Sequence, residues 1–203
     1  MRPLLSIGFT LLFASGMRVS LAQDSHTTNT DRPFIYPDHV TAQFAGNIGL
    51  LSAGIGYSYA KDKLQTDFLY GFAPAFESRT TIHILTAKTA YYARPKDISE
   101  KYSWVPVRAG TGISYSIGRQ FFTQLPKHYP SGYYWFSTSF RLTPFVGSAL
   151  QLKLNEGRTS VKKLELYGDL GTTDIHLLSY GLNTKALKPW QIFNIAFGLK
   201  AVF

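Results

Sequence analysis

The sequence predicts an all-β protein: one eight-stranded antiparallel up-and-down barrel with its apolar face turned outward. Three observations lead there. Apolar residues recur at every second position in most of eight segments, the period of a strand with one apolar face. The opposite faces are rich in Gly and Ser, the size needed inside a narrow eight-strand tube. Helical periodicity is not evident anywhere after residue 22, so strands must build the whole fold.

The elements follow in order. Val40, Ala42 and Phe44 alternate with Thr41, Gln43 and Ala45. Leu51, Ala53, Ile55, Tyr57 and Tyr59 alternate with Ser52, Gly54, Gly56, Ser58 and Ala60. Leu64, Thr66, Phe68, Tyr70 and Phe72 alternate with Gln65, Asp67, Leu69 and Gly71. Residues 80–93 are strand-like, but Ile84-Leu85 breaks the parity and leaves the facing of His83 and Lys88 open. Val105, Val107, Ala109, Thr111, Ile113, Tyr115 and Ile117 alternate with Pro106, Arg108, Gly110, Gly112, Ser114 and Ser116. Phe140, Leu142, Val146, Leu150 and Leu152 alternate with Arg141, Thr143, Gly147, Gln151 and Lys153. Residues 163–170 alternate well, whereas 172–180 read as a loop or a bulged continuation. The last segment, QIFNIAFGLKAVF, alternates strictly up to Phe203.

The first 22 residues carry Arg2, a short apolar core from Leu4 to Phe13, and Ser20-Leu21-Ala22. That is the layout of a secretory signal peptide cut after Ala22. Residues 23–38 are polar and aperiodic and read as a mobile tail, leaving 39–203 for the barrel. Cleavage would leave 19 basic against 12 acidic side chains, a net +7. In an exported chain this points to anionic lipid or lipopolysaccharide phosphates, or simply to solvated loops and internal ion pairs, rather than to nucleic acid. There is no cysteine, so neither disulfides nor an amino-terminal lipid are expected.

An apolar strand face can meet a second sheet or a bilayer. Tyr57, Tyr59, Tyr70, Phe72, Tyr115 and Phe140 stand on the apolar sides near strand ends, as aromatic girdles do at membrane interfaces. Ile195, Phe197, Leu199, Ala201 and Phe203 form a terminal pattern that resembles the assembly signal of bacterial outer-membrane β-barrel proteins. The resemblance covers Val40 to Phe203. It implies a transmembrane barrel in the cell outer membrane, a monomer in contact with lipid, lipopolysaccharide and the barrel assembly machinery. Small uncharacterised barrels of this kind imply no assigned reaction. With Phe203 facing the periplasm, turns 60–63, 94–104 and 155–158 fall on that side. Connections 73–79, 118–139 and 174–190 face outward, and 121–137 mixes aromatics with Lys127 and His128 as an interfacial or ligand-contacting loop.

Inside an eight-strand tube, side chains fill the bore. Asp67, Arg108, Arg141, Glu165, Asp169 and Lys200, with Gln43, Gln65, Gln151 and Lys153, are therefore expected to form a polar plug of ion pairs. Asp174, His176 and Ser179 contain the residue types of a hydrolytic triad, whose serine needs a base within reach and whose base needs an orienting acid. Some small outer-membrane barrels modify lipid A with such groups near the outer rim, and an acyl hydrolase or acyltransferase is the alternative function. Their characteristic motif spacing is missing here. His83 and His128 are isolated, and no metal-ligand cluster, phosphate loop or dinucleotide fingerprint stands out. No cofactor is expected.

Overall fold

The computed structural model describes residues 36–75, 80–118, 121, 138–154, 160–182 and 188–203. The expected signal peptide, nearly all of the tail and of the 121–137 loop, and the turn at 155–158 lie outside the described residues. The strands are β1 (His39–Ala45), β2 (Leu51–Tyr59), β3 (Leu64–Ala73), β4 (Ile82–Tyr92), β5 (Lys96–Asp97), β6 (Tyr102–Ile117), β7 (Phe140–Lys153), β8 (Lys163–Gly171) and β9 (Asn194–Val202). Every neighbour is antiparallel, and β4 pairs with β6 while β1 pairs with β9. Eight strands thus close into a barrel, and β5 is a short ribbon on the lower half of β6.

The registers give the stagger of the closed sheet. Val40 lies opposite Ile55, then Phe68, Ala87, Ile113 and Leu142 in turn. Continuing along the registers of β7–β8, β8–β9 and β9–β1 returns to position 50, a shift of ten residues. With about 3.3 Å per residue and about 4.7 Å between strands, that stagger tilts the strands by about 41°. The same geometry gives a backbone radius of about 8 Å, narrow enough for side chains to meet across the bore.

Connections alternate between the two rims. One rim carries 60–63, 93–101 and 154–162; the other carries 46–50, 74–81, 118–139 and 172–193. The first turn is tight, and Ala60, Lys61 and Asp62 all have positive φ, 53°, 59° and 64°. The 46–50 connection folds into the second mouth, where Ile48 is buried. Gly71 lets it approach: a Cβ there would lie 1.8 Å from the Ile48 carbonyl oxygen.

Two features depart from the alternation read in the sequence. Residues 174–182 are helical, not loop or strand: β8 ends at Gly171 and α1 runs from Asp174 to Leu182. Thr173 Oγ1 accepts from the His176 amide and the Asp174 carboxylate from the Ile175 amide, which starts the helix. None of its residues is buried, so it lacks the core-facing stripe that makes a helix legible. The second departure is a bulge in β6. Val105 pairs with Ala149 but Arg108 with Gly147, so Pro106 and Val107 oppose Ser148 alone. Pro106 has no amide proton to give a ladder, which suits a bulge. The extra residue turns Val105 into the bore, fully buried, while Val107 stays outside at 48% exposure.

Candidate functional site

Two surfaces could carry function: the outer face of the barrel and its filled bore. Outward positions on the eight strands hold no Asp, Glu, Lys or Arg; their one imidazole is His83. Ile55, Phe68, Leu85, Ile113, Val146, Leu166, Ile195, Phe197 and Leu199 are all 42–58% exposed and form a belt around the barrel. Tyr59, Tyr91, Tyr102 and Trp104 ring the rim of the tight turn; Tyr70, Phe72, Tyr115 and Phe140 ring the opposite one. Ser148 faces outward but is satisfied: it accepts from Trp104 Nε1 at 2.7 Å and donates to the Val105 carbonyl at 2.9 Å. Nine tilted residues span about 23 Å, close to the roughly 25 Å apolar band of a membrane-crossing barrel. Among the described residues no helix is long and apolar enough to cross a membrane.

The bore holds the charges. Asp67, Glu165 and Asp169 face Lys88, Arg108 and Lys200, all of them buried, so acid and base balance within the plug. Asp67 Oδ2 accepts from Lys200 Nζ at 2.8 Å, and its Oδ1 is 2.7 Å from Thr41 Oγ1 and 2.8 Å from His39 Nε2. Lys200 also donates to Gln65 Oε1 at 2.9 Å. Higher up, Lys88 Nζ donates to Asp169 Oδ2 and to Gln43 Oε1, each at 2.7 Å, and Tyr167 Oη reaches the same Gln43 oxygen at 3.0 Å. Glu165 accepts from Tyr92 Oη and Gln151 Nε2, both at 2.8 Å. The Lys88–Asp169 and Lys200–Asp67 pairs each join strands with two others between them, so they bridge the tube.

Arg108 is held differently. Its guanidinium stacks 3.9 Å from the centre of the Tyr167 ring and lies 3.4 Å from Asp169 Oδ1. Stacking plus ion pairing suits the planar, weakly hydrated guanidinium better than an ammonium. Small residues make room for the large ones: a Cβ on Gly56 would fall 2.1 Å from His39 Nε2, and one on Gly198 2.1 Å from Tyr167 Cζ. The space left near Gln43, Asn47, Lys88, Thr143, Asp169 and Asn194 is a cavity of about 30 Å³, room for about one water. Ile48, Leu69 and Ile84 are buried toward the second mouth, and Ala90, Val105 and Ala149 toward the first. A bore packed in this way gives no passage among the described residues.

Of the bore residues expected from the sequence, Asp67, Arg108, Glu165, Asp169, Lys200, Gln43, Gln65 and Gln151 all lie in this network. Arg141 is half-buried near the second mouth and donates to the Phe140 carbonyl at 2.7 Å. Lys153 is not in the plug: it lies at the rim, 51% exposed, and pairs with Asp97 at 2.8 Å. That hydrogen bond holds the Asp97 carboxyl below the usual carboxylate range. His39, Lys88, Tyr92 and Tyr167 belong to the plug and were not among the expected residues. His39 is the first residue of β1, just ahead of its clear alternation; Lys88 is hidden by the Ile84-Leu85 pair. The registers resolve that strand: Ile84 and Lys88 face inward, and His83 and Leu85 outward.

Asp174, His176 and Ser179 all lie on α1. Two residues apart, Asp174 and His176 point about 200° from each other around the helix. The Asp174 carboxylate and the His176 amide serve the helix start, and among the described residues no His176–Ser179 hydrogen bond forms. No group of three or more metal-ligating side chains converges among the described residues. On the outer face of the second rim, Tyr70 and His83 are hydrogen-bonded and their rings stack at 5.8 Å.

Comparison with protein-family models, curated proteins and solved structures finds no match to this chain.

Proposed function

We propose that this chain is an integral outer-membrane β-barrel with a sealed bore, whose role is structural or exerted through the connections at its second rim. The observation that carries the reading is the inversion of polarity across the wall. Six ionised side chains lie inside the barrel, and a belt of large apolar ones lies outside. In water such a belt would remain exposed, far beyond the few hundred Å² common on soluble monomers. In a bilayer the belt meets hydrocarbon, and closure pairs the backbone groups that lipid cannot satisfy. A soluble ligand-carrying barrel would place its large apolar groups inside.

The rims support an orientation. The two longest connections, 118–139 and 172–193, share the second rim, and longer connections belong to the outside, so that rim, with 46–50 and 74–81, faces the exterior. Ile195, Phe197, Leu199 and Ala201 on the outward face of β9, with Phe203 just after it, are the segment that assembly machinery would engage. Heat-modifiable gel mobility and recovery in the outer-membrane fraction are the expected results. A folded protein recovered in soluble form from the periplasm would overturn the reading. The lipid A of cells with and without the protein should give identical mass spectra; a difference abolished by Ser179→Ala would instead favour lipid modification.

A further inference from the structure

We infer that the outer wall between β2, β3 and β4 binds one molecule of a phosphorylated glycolipid, lipid A in class, with its phosphate at His83. This rests on the membrane reading above and adds a site to it. His83 is the one imidazole on an outward face that carries no Asp, Glu, Lys or Arg, and it stands at the exterior rim opposite Phe72. An ionisable group at lipid depth needs a partner.

The geometry decides what that partner is. Tyr70 Oη and His83 Nδ1 share a hydrogen bond, and the rings are nearly parallel, 22° apart. Phe72 flanks the imidazole from the other side, with ring centres 5.9 Å apart. A phenol that donates to Nδ1 leaves the proton of the neutral ring on Nε2. A protonated ring carries one there as well. With Tyr70 as the donor to the neutral ring, both of these forms present an Nε2–H donor, and a lipid phosphate oxygen is the acceptor found at that level of a bilayer.

Beneath this pair runs an open groove of about 460 Å³, lined by Ala53, Ile55, Phe68, Tyr70, Leu85 and Ala87 among others. Ala53 and Ala87 form its floor, because their neighbours Ile55, Phe68, Tyr70 and Leu85 are larger. Tyr70 belongs to both parts. Donor above and trough below match a lipid whose phosphate sits at the rim and whose acyl chain lies along the wall.

The test uses full-length protein, labelled with ¹⁵N at its histidines and held in maltoside micelles, which contain no phosphate. Lipid A should shift the His83 Nε2 resonance, assigned by its loss in His83→Gln, and leave buried His39 in place. Tyr70→Phe removes the phenol that holds the ring in place and should weaken the lipid's hold about fivefold, the worth of one neutral hydrogen bond. Ala87→Trp fills the groove from outside the barrel and should weaken it comparably. Dephosphorylated lipid A and inorganic phosphate should each leave the resonance unmoved. A silent His83, an equal response to the phosphate-free lipid, or an equal response to inorganic phosphate would each overturn the site. Failure of the folded protein to enter vesicles would overturn the membrane reading instead, whatever His83 does.

Discussion

Replacing Asp67 by alanine tests the plug at its most demanding point. The Asp67 carboxylate accepts from Lys200 and Thr41 and bonds His39, all within 2.8 Å, and all three are buried. Without it, the Lys200 ammonium keeps only the neutral Gln65 oxygen at 2.9 Å, with His39 Nε2 at 3.4 Å. A buried ion stripped of its partner costs about 3–5 kcal/mol. Thr41 and His39 lose their partner too, so the upper end of that range is expected. The second change Lys200→Met removes the stranded charge and should restore at least about 2 kcal/mol of the loss. Asp97→Ala is the control: its pair with Lys153 is exposed, and water and salt screen such a pair. Urea unfolding in phosphatidylcholine vesicles, followed by tryptophan fluorescence, reads all three. If Asp67→Ala shifts the midpoint no more than Asp97→Ala does, the bore is wet and the plug does not hold the barrel.

The same assay serves three further predictions. Phe197→Lys puts a charge on the outer belt and should cost about 2–4 kcal/mol near the bilayer midplane. Asn194→Lys, which loses one inward hydrogen bond to Asn47, should cost less; the reverse order would mean the two faces are inverted. Gly198→Ala would force a methyl group into the Tyr167 ring and should cost about 1–3 kcal/mol by overpacking. Gly168→Ala meets only the Phe197 ring at 3.7 Å and should leave the midpoint unchanged. Lys61→Gly relieves one of three consecutive left-handed residues, worth about 1–2 kcal/mol, against about 0.5–1 kcal/mol of added chain entropy. It should therefore raise the midpoint, and a fall would refute the strain.

The strands were legible because one face touches nothing but the exterior. Leu51, Ala53, Ile55, Tyr57 and Tyr59 keep their period because Ser52, Gly54, Gly56 and Ser58 must be small enough for the bore. The bulge was not legible. Val105 and Val107 are both apolar, so alternation runs smoothly through a point where the facing reverses; only Pro106 hinted at it. In β4, Ile84 and Leu85 are adjacent and apolar because the bore changes character near its mouth. Ile84 closes an apolar layer near Ile48 while Leu85 joins the belt. The plug's acids and bases could be read from parity, but their pairing could not. Lys88 reaches Asp169 across a closed tube, and closure is set by the registers of all eight strands together. Helix α1 escaped notice because none of its residues is buried.

The central claim is that the outward face meets hydrocarbon. The chain has no cysteine, so single cysteines can be placed at Val40, Ile55, Phe68, Ala87, Ile113 and Leu142, one register row around the barrel. Spin labels at these sites in vesicles should collide readily with oxygen and hardly at all with a water-soluble nickel chelate. A label at Lys61, in a turn, should do the opposite. Nickel collisions along the row equal to those at Lys61 would place the belt in water and contradict the account.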